Sequence, residues 1–431
     1  MTARIVWPFR LTGRRPSPVA RNAGRLAGVL LWGVLFATPA LAGGPYPAFG
    51  GISASADDAR VAGTNPAAMT RFSEPVQRVD LYGFFSDSTW EGQLGESGPS
   101  RVTEDSSSSV VPQGAFVVPF RERWWFGFTV LGNGFSENYD DAWIGRYYLQ
   151  EYDLLTISAF PSLATRLSER WSIAVSLPIS YTQYDQRKAV PNLEPGLGDG
   201  SLVVESDAVA VGYGISLLYE ISPQTRVGFN YRSAIEPSLS GTAEFSDLGP
   251  LTEQVLEEAG LLGARIDVTS RQPQGITLGA YHDFDNGHAL SVDLAWAETS
   301  DFVLAEVFVN GDAIVENQQN YEDVIAVSGS YSWPVADRWR LGLGGFWVSE
   351  MIEDANRTMT LRLDEMWSLG AGLEWHWKPR RTVNFTLNYL QIGDSPVQTP
   401  ELPGIGSVTG RYTDRGTVYL QAALSFGPTR S

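Results

Sequence analysis

The sequence predicts an all-β protein, a transmembrane antiparallel β-barrel of about 14 strands with an N-terminal plug on its periplasmic side. Three observations point there. Beyond the N-terminus no run of eighteen apolar residues exists, which excludes helical membrane spans. Hydrophobic residues instead alternate with small or polar ones at a period of two. Short turns also alternate with long polar loops along the chain, the pattern of barrels whose two ends face different compartments. A mean hydropathy of −0.12 agrees, because only every second residue of such a strand meets lipid.

Residues 1–42 read as a cleaved signal peptide. Arg4, Arg10, Arg14, Arg15, Arg21 and Arg25 form a basic region without acidic residues. An apolar stretch over 26–36 follows, then the small-x-small site Ala40-Leu41-Ala42, with cleavage before Gly43. Without these six arginines the chain keeps 25 of its 31 basic residues against 49 acidic ones. Such a balance argues against nucleic acid as a partner, since that binding depends on neutralising phosphates. The chain has no cysteine, so it has no disulfide framework, no thiolate metal site and no lipid-modified cysteine. No cofactor and no metal are implied.

Residues 43–75 do not alternate. They are rich in Gly, Ala and Ser, hold Asp57-Asp58 and end in an Asn65-Pro66-Ala67 turn. A barrel of about fourteen strands lies between small barrels filled by their own side chains and wide porins. The segment is therefore expected inside the lumen as a hatch, with residues 76–431 forming the barrel.

Strands are expected near 76–86, 109–120, 123–133, 147–166, 170–184, 202–222 and 224–235. The second half gives 268–284, 288–299, 321–335, 338–349, 360–377, 382–392 and 416–426. In the thirteenth, Val383, Phe385, Leu387 and Tyr389 alternate with Thr382, Asn384, Thr386 and Asn388. Tight turns are expected at 120–123, 167–170, 222–225, 284–288, 334–338 and 378–381. With an even number of strands, both chain ends fall on the tight-turn side, facing the periplasm. Trp124, Trp125, Trp171, Tyr219, Trp333, Trp339 and Trp377 lie near these turns, where an interfacial aromatic girdle belongs. Pro112, Pro161 and Pro178 fall inside strands and predict bulges or kinks.

Three stretches resemble the FadL/TodX family of outer-membrane channels for long-chain fatty acids and aromatic hydrocarbons. The first is Ala56-Asp57-Asp58-Ala59 followed by Asn65-Pro66-Ala67-Ala68-Met69-Thr70, similar to the family's hatch. The second runs from Tyr139-Asp140-Asp141-Ala142-Trp143-Ile144-Gly145-Arg146-Tyr147 to Pro161-Ser162-Leu163-Ala164. The third is Thr225-Arg226-Val227-Gly228-Phe229-Asn230-Tyr231-Arg232-Ser233, then Leu239-Ser240-Gly241. The family's barrel has fourteen strands and an N-terminal hatch. One departure is the C-terminus, where Phe426 is followed by five residues instead of ending the chain.

The resemblance implies an outer-membrane channel for passive uptake of hydrophobic molecules. Ligand would be captured near the extracellular loops, held in an apolar lumen pocket and released sideways through a kink in the wall. It places the kink at Gly132, Asn133, Gly134 and Phe135, and gating at Asp57, Asp58, Asn65, Pro66 and Ala67. Arg146 and Arg232 are candidates to meet a carboxylate headgroup, with paired aspartates as the competing partners. The implied partners are a hydrophobic ligand, outer-membrane lipid and lipopolysaccharide, and the barrel-assembly machinery. The alternative is a general diffusion porin or a structural barrel, though few charges fall at inward mid-strand positions. An enzyme is not expected, because His282, His288 and His376 all lie near tight turns with no catalytic motif around them.

Overall fold

The computed structural model describes residues 53–427 except 96–97, 99, 302, 310–311, 316–320, 358, 360–363 and 400–404. The expected signal peptide, and residues 43–52 of the expected hatch, lie outside the described residues.

The wall is a closed antiparallel barrel of fourteen strands, with some strands interrupted in the middle. The first four are β1 (Val76–Leu94), β2 (Arg101–Phe120), β3 (Trp124–Asn138) and β4 (Glu151–Arg166). Five interrupted strands follow: β5 (Trp171–Ser176, Ile179–Val190), β6 (Gly200–Val211, Gly214–Glu220), β7 (Thr225–Arg232, Ser238–Ser246), β8 (Arg265–Arg271, Gly275–Asp283) and β9 (Ala289–Ala297, Val303–Val309). The ring is completed by β10 (Asp312–Val315, Val324–Ala336), β11 (Trp339–Val348), β12 (Met366–Lys378), β13 (Arg381–Ile392, Ser395–Gln398) and β14 (Val408–Phe426). Each strand pairs with its successor, and β14 returns to β1 from Gln77↔Phe426 to Leu94↔Val408. Phe426 is thus the last residue of the closing strand, so an aromatic still ends the barrel although the chain runs on.

The six tight connections fall at the expected places. In the turn after β8, the Gly287 N–H donates to the Phe284 carbonyl, and Gly287 has φ +79°, a conformation that favours glycine. The opposite end carries the long loops, one of which contains helix α1 (Pro250–Glu258). Several strands outrun the membrane. The nineteen residues of β14 span roughly 60 Å at about 3.4 Å each, more than a tilted strand needs to cross a core about 30 Å thick.

Alternation sets the two faces. Val79, Leu81 and Phe85 of β1 are exposed, whereas Arg78, Asp80, Tyr82 and Phe84 between them are buried. On β13, Phe385, Leu387 and Tyr389 are exposed, while Asn384, Thr386 and Asn388 are buried. This inversion of the soluble-protein pattern is what a lipid-facing wall requires. The girdle is real at the tight-turn end. Trp171 packs on Tyr219 with ring centroids 4.5 Å apart, and Trp339 stacks on Trp375 at 5.3 Å. Trp125 departs from the expectation: it is 7% exposed and points inward, because its neighbour Trp124 already takes the outward position.

The prolines behave differently from one another. Pro112 keeps its register with Leu81 and lies beyond Gly114, where the ladder to β3 has already ended. Pro178 divides β5, and the β4–β5 ladder breaks opposite Pro161 without a change of register. Pairing slips elsewhere, between Asp87 and Thr89, and between His376 and Lys378.

An outward-facing charge near the middle of the wall should be costly. Leu387→Arg is expected to destabilise the barrel by about 2–4 kcal/mol, read by denaturant unfolding in lipid bilayers. Asn388→Ser, one residue along but facing inward, should cost far less.

Candidate functional site

The interior is built in layers. At the tight-turn end, residues 53–72 pack inside the ring of strands. They contain a short helical turn (Val61–Thr64) and a 3-10 helix (Pro66–Arg71). Ala59, Val61, Ala62, Ala67, Ala68 and Met69 are buried against Val117, Ala164, Ala174, Leu218 and Tyr281 of the wall. This close approach requires glycines on the wall. A Cβ on Gly127 would lie 2.2 Å from the Met69 sulfur, and one on Gly228 would lie 1.9 Å from the Ser53 carbonyl oxygen.

Asn65 is the pivot of the segment. Its Nδ2 donates to the carbonyls of Ser53 (2.6 Å) and Leu217 (3.2 Å), and its Oδ1 accepts from the Ala67 N–H at 3.1 Å. One fully buried side chain therefore joins both ends of the segment to strand β6, while Pro66 starts the 3-10 helix. Hydroxyl and indole groups add further ties. Ser162 donates to the Ala62 carbonyl at 2.9 Å, and the Trp125 indole donates to the Phe72 carbonyl at 2.7 Å.

Arginines of the wall hold the segment electrostatically. Arg78 on β1 meets Asp58 at 3.0 Å and Asp80 at 2.8 Å, and donates to Asn384 of β13. Arg226 on β7 donates to the carbonyls of Ala54 and Ser55 and lies 3.4 Å from Asp283. Asp57 is a more distant partner of Arg226, at 3.9 Å. Burial pushes the Asp58 carboxyl up, but Arg60 and Arg78 together more than reverse this and hold it well below the usual carboxylate range. The sign follows from linkage: a depressed acid stabilises the packed state above its unfolded pKa of about 3.9 and stops doing so only as pH falls through its lower folded value.

Beside this segment a polar cleft opens along β1 and β9–β14, lined by Asp57, Arg60, Arg78, Arg340, Glu374 and His376 among others. At the long-loop end the interior is apolar instead. Tyr82, Phe84, Trp90, Tyr152, Tyr184 and Tyr419 from the wall form one cluster with loop residues Tyr139, Trp143, Met351 and Met359. Trp143 stacks on Tyr139 at 4.4 Å and meets Trp90 edge-on at 4.7 Å, with its indole N–H donated to the Leu149 carbonyl. Aromatic rings and flexible methionines give this layer an adaptable apolar surface.

The wall beside this layer has a seam. The β2–β3 ladder runs from Phe120↔Trp124 only to Gly114↔Val130. Beyond it, β2 stays paired with β1 and β3 with β4, so two strand edges run side by side unbonded. Gly132, Asn133, Gly134 and Phe135 lie on this edge of β3, each paired with β4, as strand and not as the start of a loop. The side chains of 133–136 lie outside the described residues. Val111 on the facing edge packs against the aromatic cluster.

The two candidate arginines are far apart in character. Arg146, in the loop after β3, is ion-paired with Asp199 at 2.8 Å and donates to the Trp143 carbonyl. Arg232 is buried on β7, with its guanidinium 4.7 Å above the Phe160 ring. Sequence reasoning did not single out Arg78, gave Arg226 no anchoring role and placed Trp125 in the outer girdle. Their signal was present, however, since each occupies the inward register of an otherwise apolar-outward strand.

Loss of the seat should loosen the segment. Gly228→Ala and Asn65→Ala are each expected to raise steady ion conductance in planar bilayers several-fold and to expose 53–72 to protease. The Asn65 change should cost about 1–3 kcal/mol for the polar groups left unpaired. In the intact protein, protease protection of this segment should hold from about pH 8 down to about pH 5 and fail only in strong acid, because Asp58 stays ionised throughout that window.

Over residues 36–426 the chain matches the family of outer-membrane transport proteins described as OMPP1/FadL/TodX. It is 23% identical over 388 residues to a long-chain fatty acid transport protein of Salmonella typhi, covering 81% of this chain and 87% of that one. The corresponding protein of Escherichia coli (strain K12) is 20% identical over 394 residues, with the same coverage. Among solved structures, a Pseudomonas aeruginosa FadL homologue superposes with a TM-score of 0.79 at 20% identity, over 93% of this chain and 100% of that one. The P. putida toluene transporter TodX gives 0.60 at 15% identity, over 90% and 100%. The closed fourteen-stranded wall and the match along nearly its whole length make this chain a member of the OMPP1/FadL/TodX family of outer-membrane transport proteins.

Proposed function

We propose that the protein carries hydrophobic molecules passively through the outer membrane, taking them in at the long-loop end and releasing them sideways through the β2–β3 seam. The carrying observation is the contact between the buried aromatic cluster and the seam through Val111. A hydrophobic molecule cannot cross the polar sugar layer unaided, yet it dissolves in the membrane core. An apolar layer open to the wall solves that problem without passing the molecule through water. In this reading the tight-turn end faces the periplasm and 53–72 is the hatch that closes it. The other way out, past the hatch, is lined by Asp57, Arg60, Arg78, Arg340, Glu374 and His376, where an apolar ligand would strip water from charges at a high cost. Family members named for fatty acid and toluene transport support the ligand class.

A general diffusion porin needs an open lumen, and here the hatch and the aromatic cluster occupy opposite ends of it. The discriminating measurement is uptake of labelled oleate and toluene into cells lacking their own hydrophobic channel, with a small sugar as control. Saturable uptake of an apolar compound, changed by deleting 43–70 and without sugar flux, is the expected result. Sugar flux without apolar preference would make the protein a porin.

The seam has its own test. A Cβ on Gly132 would lie 3.2 Å from Val111 Cγ1, close enough for a disulfide, and the chain has no other cysteine. The double variant Val111→Cys, Gly132→Cys should lose most uptake when oxidised and regain it on reduction. Unchanged uptake across a closed seam would remove the lateral route.

A further inference from the structure

The turn between β12 and β13 differs in charge from the other five tight turns. It reads Lys378-Pro379-Arg380-Arg381, three cations and no acid, in a chain whose acidic residues number 49 against 31 basic ones. The turns at 120–123, 167–170 and 334–338 each set an acid beside their arginines, and those at 222–225 and 284–288 hold no lysine or arginine. Arg380 is neutralised by an ion pair with Glu74, just before β1. Among the described residues Lys378 and Arg381 have no ion pair, and each lies over an aromatic ring instead. The Lys378 Nζ is 4.5 Å from the centre of the Trp377 ring, and the Arg381 guanidinium carbon is 5.9 Å from that of Phe426.

Strand pairing aims both cations at the lipid. Arg381 leads the outward set of β13, since Thr382 and Asn384 are buried while Arg381 and Phe385 are exposed. Strict alternation along β12 would turn Lys378 inward, like His376. The slip in the ladder prevents this: His376 pairs with Thr382, but Lys378 pairs with Arg381, so β12 carries one extra residue. Direct cross-strand partners face the same side, and the bulge therefore brings Lys378 out beside Arg381. Two like charges directly opposite each other destabilise a sheet unless an anion lies against them.

The surroundings mark the depth. Trp339 and Trp375 stack on this outer face, and Trp377 follows 6.3 Å from Trp375. Leu341, Leu343, Leu369 and Phe385 are exposed on the same face further into the wall. Indole rings favour the level of the lipid headgroups and the aliphatic side chains favour the acyl tails. Lys378 and Arg381 thus stand at the height of the phosphates of the nearer leaflet.

We infer that Lys378 and Arg381, on a floor of Trp377 and Phe426, bind the phosphate of an anionic phospholipid in the periplasmic leaflet. The inference rests on the reading above that the tight-turn end faces the periplasm, where the leaflet holds phospholipid and not lipopolysaccharide. The guanidinium offers a phosphate two parallel donors, and the ammonium adds a point charge beside it. A zwitterionic head brings its own ammonium, which competes with the two side chains for the phosphate. An anionic head has no such competitor, so the site selects by net charge.

The test is native mass spectrometry of the full barrel released from micelles holding equal amounts of phosphatidylglycerol and phosphatidylethanolamine with matched chains. Wild type should retain the phosphatidylglycerol at least about fivefold over the phosphatidylethanolamine, given about fivefold per basic side chain at a membrane surface. The double variant Lys378→Gln, Arg381→Gln should retain the two equally, whereas Lys378→Arg should keep the preference. Arg121→Gln with Arg123→Gln, on another tight turn, should also keep it. Folding of each variant is checked by heat-modifiable gel mobility. A second arm needs no variant: raising the salt concentration should shrink the wild-type preference, because exposed charges are screened. Equal retention by wild type, or a preference that persists in the double variant, overturns the inference and leaves the orientation intact. The orientation has a separate readout, labelling of Pro379→Cys by an impermeant maleimide. Labelling in intact cells would overturn the periplasmic placement, and the inference with it, whatever the lipid preference.

Discussion

Everything in this protein follows from the hydrocarbon core's refusal of unpaired backbone. A strand crossing lipid must give its N–H and C=O groups to neighbours on both sides, so the sheet has to close. Closure through β1 and β14 achieves this and brings both ends of the barrel's chain to the tight-turn side. It also creates the next difficulty. A ring of fourteen strands encloses more space than its own side chains fill, and an unfilled ring would be an open pore. The interior layers answer that difficulty: a compact N-terminal segment at one end and an aromatic loop-and-wall cluster at the other.

The inner surface of such a barrel is free of the lipid rule and can carry charge, and the chain uses that freedom to fasten the N-terminal segment. Arg78 and Arg226 reach it from strands on different parts of the ring, and Asn65 binds it from within. Arg226 is 172 residues from Ala54 and Leu217 is 152 from Asn65, so the segment is fully seated only once the barrel has closed around it. Gly127 leaves room for the Met69 and Ala62 side chains and Gly228 for the Ser53 backbone, which makes the seat a matter of shape as much as charge.

Much of this architecture was legible because it is local. Period-two alternation, turn spacing and the apolar-outward pattern need only neighbouring residues, and all fourteen strands were placed from them. The Trp124-Trp125 pair shows a limit that alternation itself could have exposed, since two adjacent strand residues face opposite sides and only one of them can join the girdle. Relational properties were out of reach. The end of the β2–β3 ladder at Gly114 is the absence of a partner, and the glycines near it suggested weakness without saying where pairing stops. The same holds for charge. Arg146 and Arg232 looked alike in sequence, yet a loop 53 residues further on supplies Asp199 to one, while the other lies over the Phe160 ring.

The seam reflects a trade. A wall that must release a ligand into lipid has to weaken its own closure at some height, and every missing rung exposes backbone to a solvent that cannot satisfy it. The chain limits that exposure by keeping each edge paired on its far side, β2 to β1 and β3 to β4, so no strand is left free. The unpaired edges thus lie at the height of the aromatic cluster, which they meet through Val111.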